Sequence, residues 1–453
     1  MSIVAERKKQ ELVERFGLDP VPKELRTSSW FDFLYIGIAF SVNTGNFLVP
    51  ALAVLEGGLS FPFAVLSTVL GATLAFFFVS YLSLPGAAHG IPSQYAIRAM
   101  IGIKGARYVA SPVRTLTSLY WFAVQTIGGT YVIKELTQRL WNLDIPFYFI
   151  SIILASIMAL LALIGFDAIK KATKYFIPFL FLGQGAILYL YITTSQTEKT
   201  FFDVFNGEQS FSMTSFLFFM GLAFVQYVSG VSSSSDIARY AKSEKHSFYG
   251  LFAGNVIGFS MAAVLAAFSA QELNSVNPFV SATELTDSYL LIGLITICAL
   301  VSMVSINMSN AYTGGFSLLN SLPKLGRVKS AFLFGVIGVL FSCFPSLVTE
   351  AKQFISLLGA FVVPLSAVII TDFIVFKKSK IDILDLERIL DKSTQINQPA
   401  FLTIAIGIIV YFFISDNFSP GLCTFLISSV LYVICKKVHL SLTRVKKKSS
   451  LSA

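Results

Sequence analysis

Cysteine, histidine and acidic side chains are all scarce in this chain of 453 residues, and each shortage excludes something. The four cysteines, Cys298, Cys343, Cys423 and Cys435, lie in apolar runs with no CxxC pair. Small hydrophobes in helices are distributed this way; a disulfide scaffold or a thiolate metal site is not. The three histidines, His89, His246 and His439, fall in loops or at the ends of apolar runs. With no HExxH and no clustered acids, a hydrolytic or metal-dependent enzyme is not expected. Charge of either sign is low, at 13% against roughly 25% in a soluble domain, which argues against a disordered chain or a soluble nucleic-acid binder. Residues 1–28 are polar and charged, so no cleavable leader is expected and the first apolar run must itself start insertion.

What is present is apolar. Hydrophobic residues make up 55% of the chain, with 44 phenylalanines, and the mean hydropathy is +0.73. This composition points to an all-α polytopic membrane protein. Runs long enough to span lie near 30–55, 61–84, 108–136, 146–166, 174–195, 212–235, 248–270, 288–313, 329–346, 350–376, 400–415 and 418–437. Twelve spans place both termini on one side. All Lys and Arg except Lys134, Arg139, Lys199 and Lys352 then fall on that same side, which the positive-inside rule makes cytoplasmic. The net charge of +9 needs no nucleic acid to explain it. A plasma or cytoplasmic membrane location is expected.

Two spans are interrupted by small polar residues. The first break reads Ser41-Val42-Asn43-Thr44-Gly45-Asn46 and the second Ser229-Gly230-Val231-Ser232-Ser233-Ser234-Ser235. Backbone freed from a helix in hydrocarbon is costly unless it lines a cavity or binds something, although a packing kink is the alternative. The breaks fall in spans one and six. An offset of five spans reverses the orientation of the second unit, which is the pattern of two inverted repeats, each opening with a discontinuous helix. The expected organisation is a cytoplasmic tail (1–28), a first five-helix repeat (29–195), a second, inverted one (212–376), a cytoplasmic loop (377–399), helices eleven and twelve (400–438) and a cytoplasmic tail (439–453).

Polar side chains at membrane depth mark the candidate site. Span three carries Trp121 and Gln125 four residues apart, on one helical face. A ring and an amide together suit a flat heterocycle, one stacking on it and the other reading its edge. Residue types alone leave open a purely structural pair. Span eight carries Ser302, Ser305 and Ser309 as a stripe, with Asn307 and Asn310 beside it. Asp32, Asp167, Asp236 and Asp372 lie near inner span ends and Glu56 near an outer one, so no midplane carboxylate is evident for a proton relay.

These residues resemble the nucleobase:cation symporter-1 family, and within it the purine/cytosine permease branch. The resemblance is carried by SSWFDFLYIGIAFSVNTGN at the start of span one, HGIPSQYAIRAMIGIKGARY before span three, LYWFAVQTIGG within span three, DIARY after span six and NMSNAYTGGFSLL in span eight. It extends over roughly residues 25–440. It implies a leucine-transporter-like fold of five-plus-five inverted repeats with two additional C-terminal helices. It also implies a secondary active transporter that imports a nucleobase, cytosine or a purine, by cation symport. Other rings (uracil, allantoin, hydantoin, a thiamine-like ring) are the alternative, and an amino acid a more distant one.

The family's ring sandwich falls on Trp121 and Tyr227, the latter where several relatives carry Trp. Its edge-reading amides fall on Gln125 and Asn310, with Asn43 and Asn307 as further candidates. Its cation site falls on Ala39, Val42, Val301 and Ser305, a set that could take sodium. The neighbours of Ser305 are Val304 and Ile306, so the family's second hydroxyl is missing, and a proton is the rival coupling ion. No cofactor is implied. The expected partners are the small ring and membrane lipid, with no nucleic acid, and a monomer is expected.

Overall fold

The computed structural model describes residues 17–161, 163, 166–193, 201–206, 210–390 and 395–451. The described residues are helical apart from turns, loops and one isolated bridge between Ser28 and Ala241. In chain order the main helices are α1 (Trp30–Ser41), α2 (Thr44–Leu55), α3 (Phe61–Tyr81), α4 (Ser93–Ile101), α5 (Ser111–Trp141), α6 (Phe147–Leu161), α7 (Phe166–Thr193), α8 (Met213–Val228) and α9 (Ser234–Ala238). They continue with α10 (Glu244–Leu273), α11 (Pro278–Glu284), α12 (Tyr289–Ser321), α13 (Gly326–Phe341), α14 (Ala351–Thr371), α15 (Gln398–Phe413) and α16 (Pro420–Leu451).

Among the described residues, seven helices are long and apolar enough to cross a membrane, or eight if the bent pair α1–α2 counts as one span. Each of the other four predicted spans coincides with a helix. Three of these are short, at 15 residues for α6 and 16 each for α13 and α15. The fourth, α5, has 31 residues, but its charge-free stretch 115–133 is rich in Thr, Ser, Gln, Gly and Tyr. Two segments expected as loop or tail contain helix: Ile383–Leu390 forms a short one, and α16 runs on to Leu451. The ends of both predicted tails, 1–16 and 452–453, lie outside the described residues.

Both predicted breaks are present. α1 and α2 meet at Val42–Asn43 with a bend of 55°. Asn43 is extended (φ −162°, ψ 166°), and its Oδ1 accepts from Asn46 N, so it caps α2. α8 tightens into a 3-10 turn at Ser229–Ser232 before α9 begins.

α1 lies against α10 along a seam of glycines. A Cβ on Gly37 would come within 2.8 Å of Asn255 N, one on Gly250 within 2.5 Å of Trp30 O, and one on Gly254 within 2.4 Å of Leu34 O. Gly258, where a Cβ would come within 2.9 Å of Ile38 Cα, continues the seam, so that glycines recur every four residues on α10, which lets two backbones touch. α3, α8 and α10 pack around the α1–α2 break, while α5, α6, α12 and α13 pack on one another. α14 joins the C-terminal pair through buried Asp372, which accepts from Tyr432 Oη at 2.6 Å and is paired with Lys436.

Candidate functional site

A cavity of about 150 Å³ lies between the two breaks. α5 presents Arg114, Trp121 and Gln125 to it. Spacings of seven and four residues keep these three on one helical face, spread over about 16 Å of helix. Tyr227 enters from the last turn of α8. Its ring is held by Phe76 (centroids 4.5 Å apart) and Phe259 (5.1 Å). α12 contributes Ile306, Ser309, Asn310 and Thr313, and the first break contributes Phe40, Ser41 and Asn46. The structure thus brings Trp121, Gln125, Tyr227 and Asn310 into one wall around one space.

The amides in that wall are tied to the first break. Gln125 Oε1 accepts from Thr44 Oγ1 at 2.9 Å and from Gly45 N at 3.0 Å. Gln125 Nε2 donates to Asn43 Oδ1 at 2.5 Å. Three of the four bonds an amide can make are therefore used on α1–α2, which leaves one N–H for a ligand. Asn43 and Asn307 stand behind the cavity wall rather than in it. Asn43 also donates to Phe40 O at 2.6 Å. Asn307 donates to Phe122 O at 3.0 Å and Thr126 Oγ1 at 3.1 Å, joining α12 to α5, and its Oδ1 accepts from Asn310 Nδ2 at 3.2 Å. Their contact with a ligand would be indirect, through Gln125 and Asn310.

Among the lining residues beyond the expected ring contacts, four carry an amide or a charge: Asn46, Arg114, Gln226 and Asn255. Arg114, on the inner side of its span by charge, is 7% exposed and donates to Thr313 Oγ1 at 2.9 Å. Asp236, expected at a helix end, is wholly buried and accepts from Ser93 N at 2.7 Å. It feels both Arg239 and Arg114 electrostatically. For Gln226 a signal did exist: a lone amide inside the apolar run Phe224-Val225-Gln226-Tyr227-Val228 is costly in a membrane unless it serves a site.

The expected cation residues lie on or at the end of two helices that pack together, Ala39 and Val42 on α1 and Val301 and Ser305 on α12. Ala39 and Val42 are fully buried at the end of α1. In a continuous helix Val42 C=O would bond Asn46 N, but that N–H is bonded to Asn43 instead, so the break frees the Val42 carbonyl. Ser305 is 1% exposed, and its Oγ has no hydrogen-bond partner. Val301 lies one turn before it on α12. Among the described residues no three His, Cys, Asp or Glu side chains group as a metal site. A cation at this place would meet neutral oxygens, which suit a hard monovalent ion.

A family model described as permease for cytosine/purines, uracil, thiamine and allantoin matches residues 20–432. The chain belongs to this family, the nucleobase:cation symporter-1 permeases. Its relatives include the allantoin permease of Bacillus subtilis (strain 168), 23% identical over 402 residues that cover 82% of this chain and 80% of that protein. They also include the purine-uracil permease NCS1 of Arabidopsis thaliana, 25% identical over 420 residues, 82% of this chain and 65% of that longer protein. The fold matches that of Mhp1, a nucleobase-cation-symport-1 transporter solved in a closed conformation with bromovinylhydantoin bound. The TM-score is 0.78 at 18% identity, with 94% of this chain and 96% of that one covered. The family member described here is a multi-pass membrane transporter of nucleobase-like substrates and not an enzyme.

Proposed function

We propose that this permease imports a nucleobase, cytosine or a purine, by cation symport with alternating access. The observation that carries the reading is the convergence of Trp121, Tyr227, Gln125 and Asn310 on one cavity between two broken helices. The relatives' names add uracil and allantoin as candidate rings. The ring lies between Trp121 and Tyr227, and Gln125 and Asn310 read its edge. Asn43 and Asn307 hold those two amides in place. The chain acts as a monomer of twelve spans, with both termini cytoplasmic and two inverted five-helix repeats at 29–195 and 212–376. The arm of the cavity that runs from Trp121 to Arg114 then leads toward the cytoplasm.

Sodium is the favoured coupling ion, held by the carbonyls of Ala39, Val42 and Val301 and the hydroxyl of Ser305. The freed Val42 carbonyl and the partnerless Ser305 hydroxyl support this choice. Cation binding orders the break in span one, and one helix bundle rocks against the other to open the inner path.

The test is uptake of radiolabelled cytosine, hypoxanthine, uracil and allantoin into cells that lack their own carriers, at fixed pH, in sodium and in choline buffer. Saturable, sodium-dependent uptake of at least one ring is expected. Trp121→Ala should abolish it while the protein still reaches the membrane, because losing a stacked ring costs about 1–3 kcal/mol of binding. Wild-type uptake by that variant would remove the site assignment, and full uptake in choline would remove sodium.

A further inference from the structure

We infer that Gln226 is a specificity-determining residue, one that presents a fixed hydrogen-bond acceptor to the substrate, so that the transported ring must offer an N–H to α8. This rests on the reading of the cavity as the ring site. The polarity of Gln226 is set by a chain of bonds that begins at a backbone carbonyl. Ser41 C=O can only accept. Asn46 reaches it at 2.8 Å, so that end of Asn46 is its NH2 and its Oδ1 faces the other way. Gln226 meets Asn46 Oδ1 at 3.0 Å and Gly45 C=O at 3.4 Å. Both are acceptors, so Gln226 turns its NH2 toward them. Tyr227 Oη, 3.3 Å away, is a third neighbour of the same NH2. Flipping either amide would set acceptor oxygens against each other, so the assignment does not depend on telling N from O by shape.

What remains is Gln226 Oε1. It is buried and has no hydrogen-bond partner, on a side chain that is 5% exposed and lines the cavity. A buried acceptor without a donor is costly, and an N–H from a ligand removes that cost. Imide, ureide and lactam rings carry such an N–H. Rings substituted on that nitrogen, or holding CH2 or oxygen in its place, do not. A site built to bond a donor rejects the analogue that lacks it far more strongly than an apolar pocket rejects a change of size.

The experiment uses the full chain purified in detergent and measures ligand affinity by quenching of tryptophan fluorescence. The probes are hydantoin, uracil, cytosine and hypoxanthine, each beside its ring-N-methyl derivatives, with succinimide as the hydantoin analogue in which CH2 replaces one N–H without added bulk. For a parent ring that binds, replacing at least one N–H should weaken binding on the order of tenfold or more, the size of one lost buried hydrogen bond. In Gln226→Met that ratio should fall toward one. Equal affinity for parent and substituted rings in the wild-type protein would overturn the inference and leave the ring site standing. So would an undiminished ratio in Gln226→Met. No binding of any parent ring by folded wild-type protein would remove the ring site and this inference together. Should Gln226→Met not fold, the analogue series on the wild-type chain decides alone.

Discussion

The break in the first span is held by amides that reach across from other helices in the cavity wall, whereas the break in the sixth is held by its own serines and by two residues outside that wall. Gln125 and Gln226 reach from α5 and α8 to Thr44, Gly45, Asn43 and Asn46. In the sixth span, Ser232 Oγ bonds Ser229 O at 2.7 Å and Ser233 Oγ bonds Gly230 O at 3.2 Å, both three residues back. Outside help comes from Gln94 to Ser232 O (3.0 Å) and Ser366 to Val228 O (3.3 Å), and neither belongs to the cavity wall. A ligand that pulls on the wall amides therefore acts on the first break directly. The second break lines the cavity too, through Ser229, Gly230, Ser233 and Ser234, but its turn is closed without the wall amides.

The sharpest way to break this contrast is Gln125→Leu. It leaves Thr44 Oγ1 and Gly45 N without a buried partner, each worth about 1–3 kcal/mol, and takes one of its two donors from Asn43 Oδ1. Saturable uptake should vanish and the melting temperature of the purified protein should fall. Wild-type uptake would mean that the first break supports itself as the sixth does.

Next in size is Gly45→Ala. Its Cβ would lie 2.4 Å from Gln125 Nε2, forcing apart the contact that joins break to wall. Uptake should drop by about tenfold or more, as expected for a strained core contact. Its counterpart Gly230→Ala meets both Val79 methyls, at 3.0 and 3.1 Å, a milder contact that touches no wall amide, and uptake should fall by less than in Gly45→Ala. Equal effects in the two glycine variants would erase the distinction between the breaks.

A smaller and more selective effect is expected of Ser305→Ala. Half-saturating sodium for uptake should rise, while uptake at saturating sodium persists. An unchanged sodium curve would detach Ser305 from coupling. The least effect belongs to Ser232→Ala, which removes one local hydroxyl–carbonyl bond worth about 1 kcal/mol. Thermal melting should register it while uptake is unaltered.

The breaks themselves were readable in the sequence, because runs such as Asn43-Thr44-Gly45 and Ser232-Ser233-Ser234-Ser235 are poor helix interior. So was the shared face of Trp121 and Gln125, since helical spacing fixes which residues look the same way. Spacing does not say what a face looks at. That Gln125 spends three bonds on residues some 80 positions earlier depends on how α5 is rotated against α2, and no local pattern encodes that. The same reason puts Asn307 behind Asn310, although both lie on one polar stretch. Gln226 carries a local cue, a lone amide in an apolar run, but adjacent residues on a helix point about 100° apart, so its sharing the cavity with Tyr227 depends on how α8 packs. The count of twelve spans includes four helices that length and hydropathy alone do not mark as crossing a membrane: α6, α13 and α15 with 15 or 16 described residues each, and α5, whose charge-free stretch is filled with Thr, Ser, Gln, Gly and Tyr.

The glycine seam between α1 and α10 has a mechanical consequence. Where Gly37 meets Gly254 there are no rotamers to readjust and no side-chain teeth to slip past one another. The two helices are bonded like a laminated beam, stiff against relative twist. Flexure of the first span is then concentrated at its one unlaminated joint, Val42–Asn43. Any rotation of α10 would arrive there as leverage on α2, at the point where Val42 offers its free carbonyl.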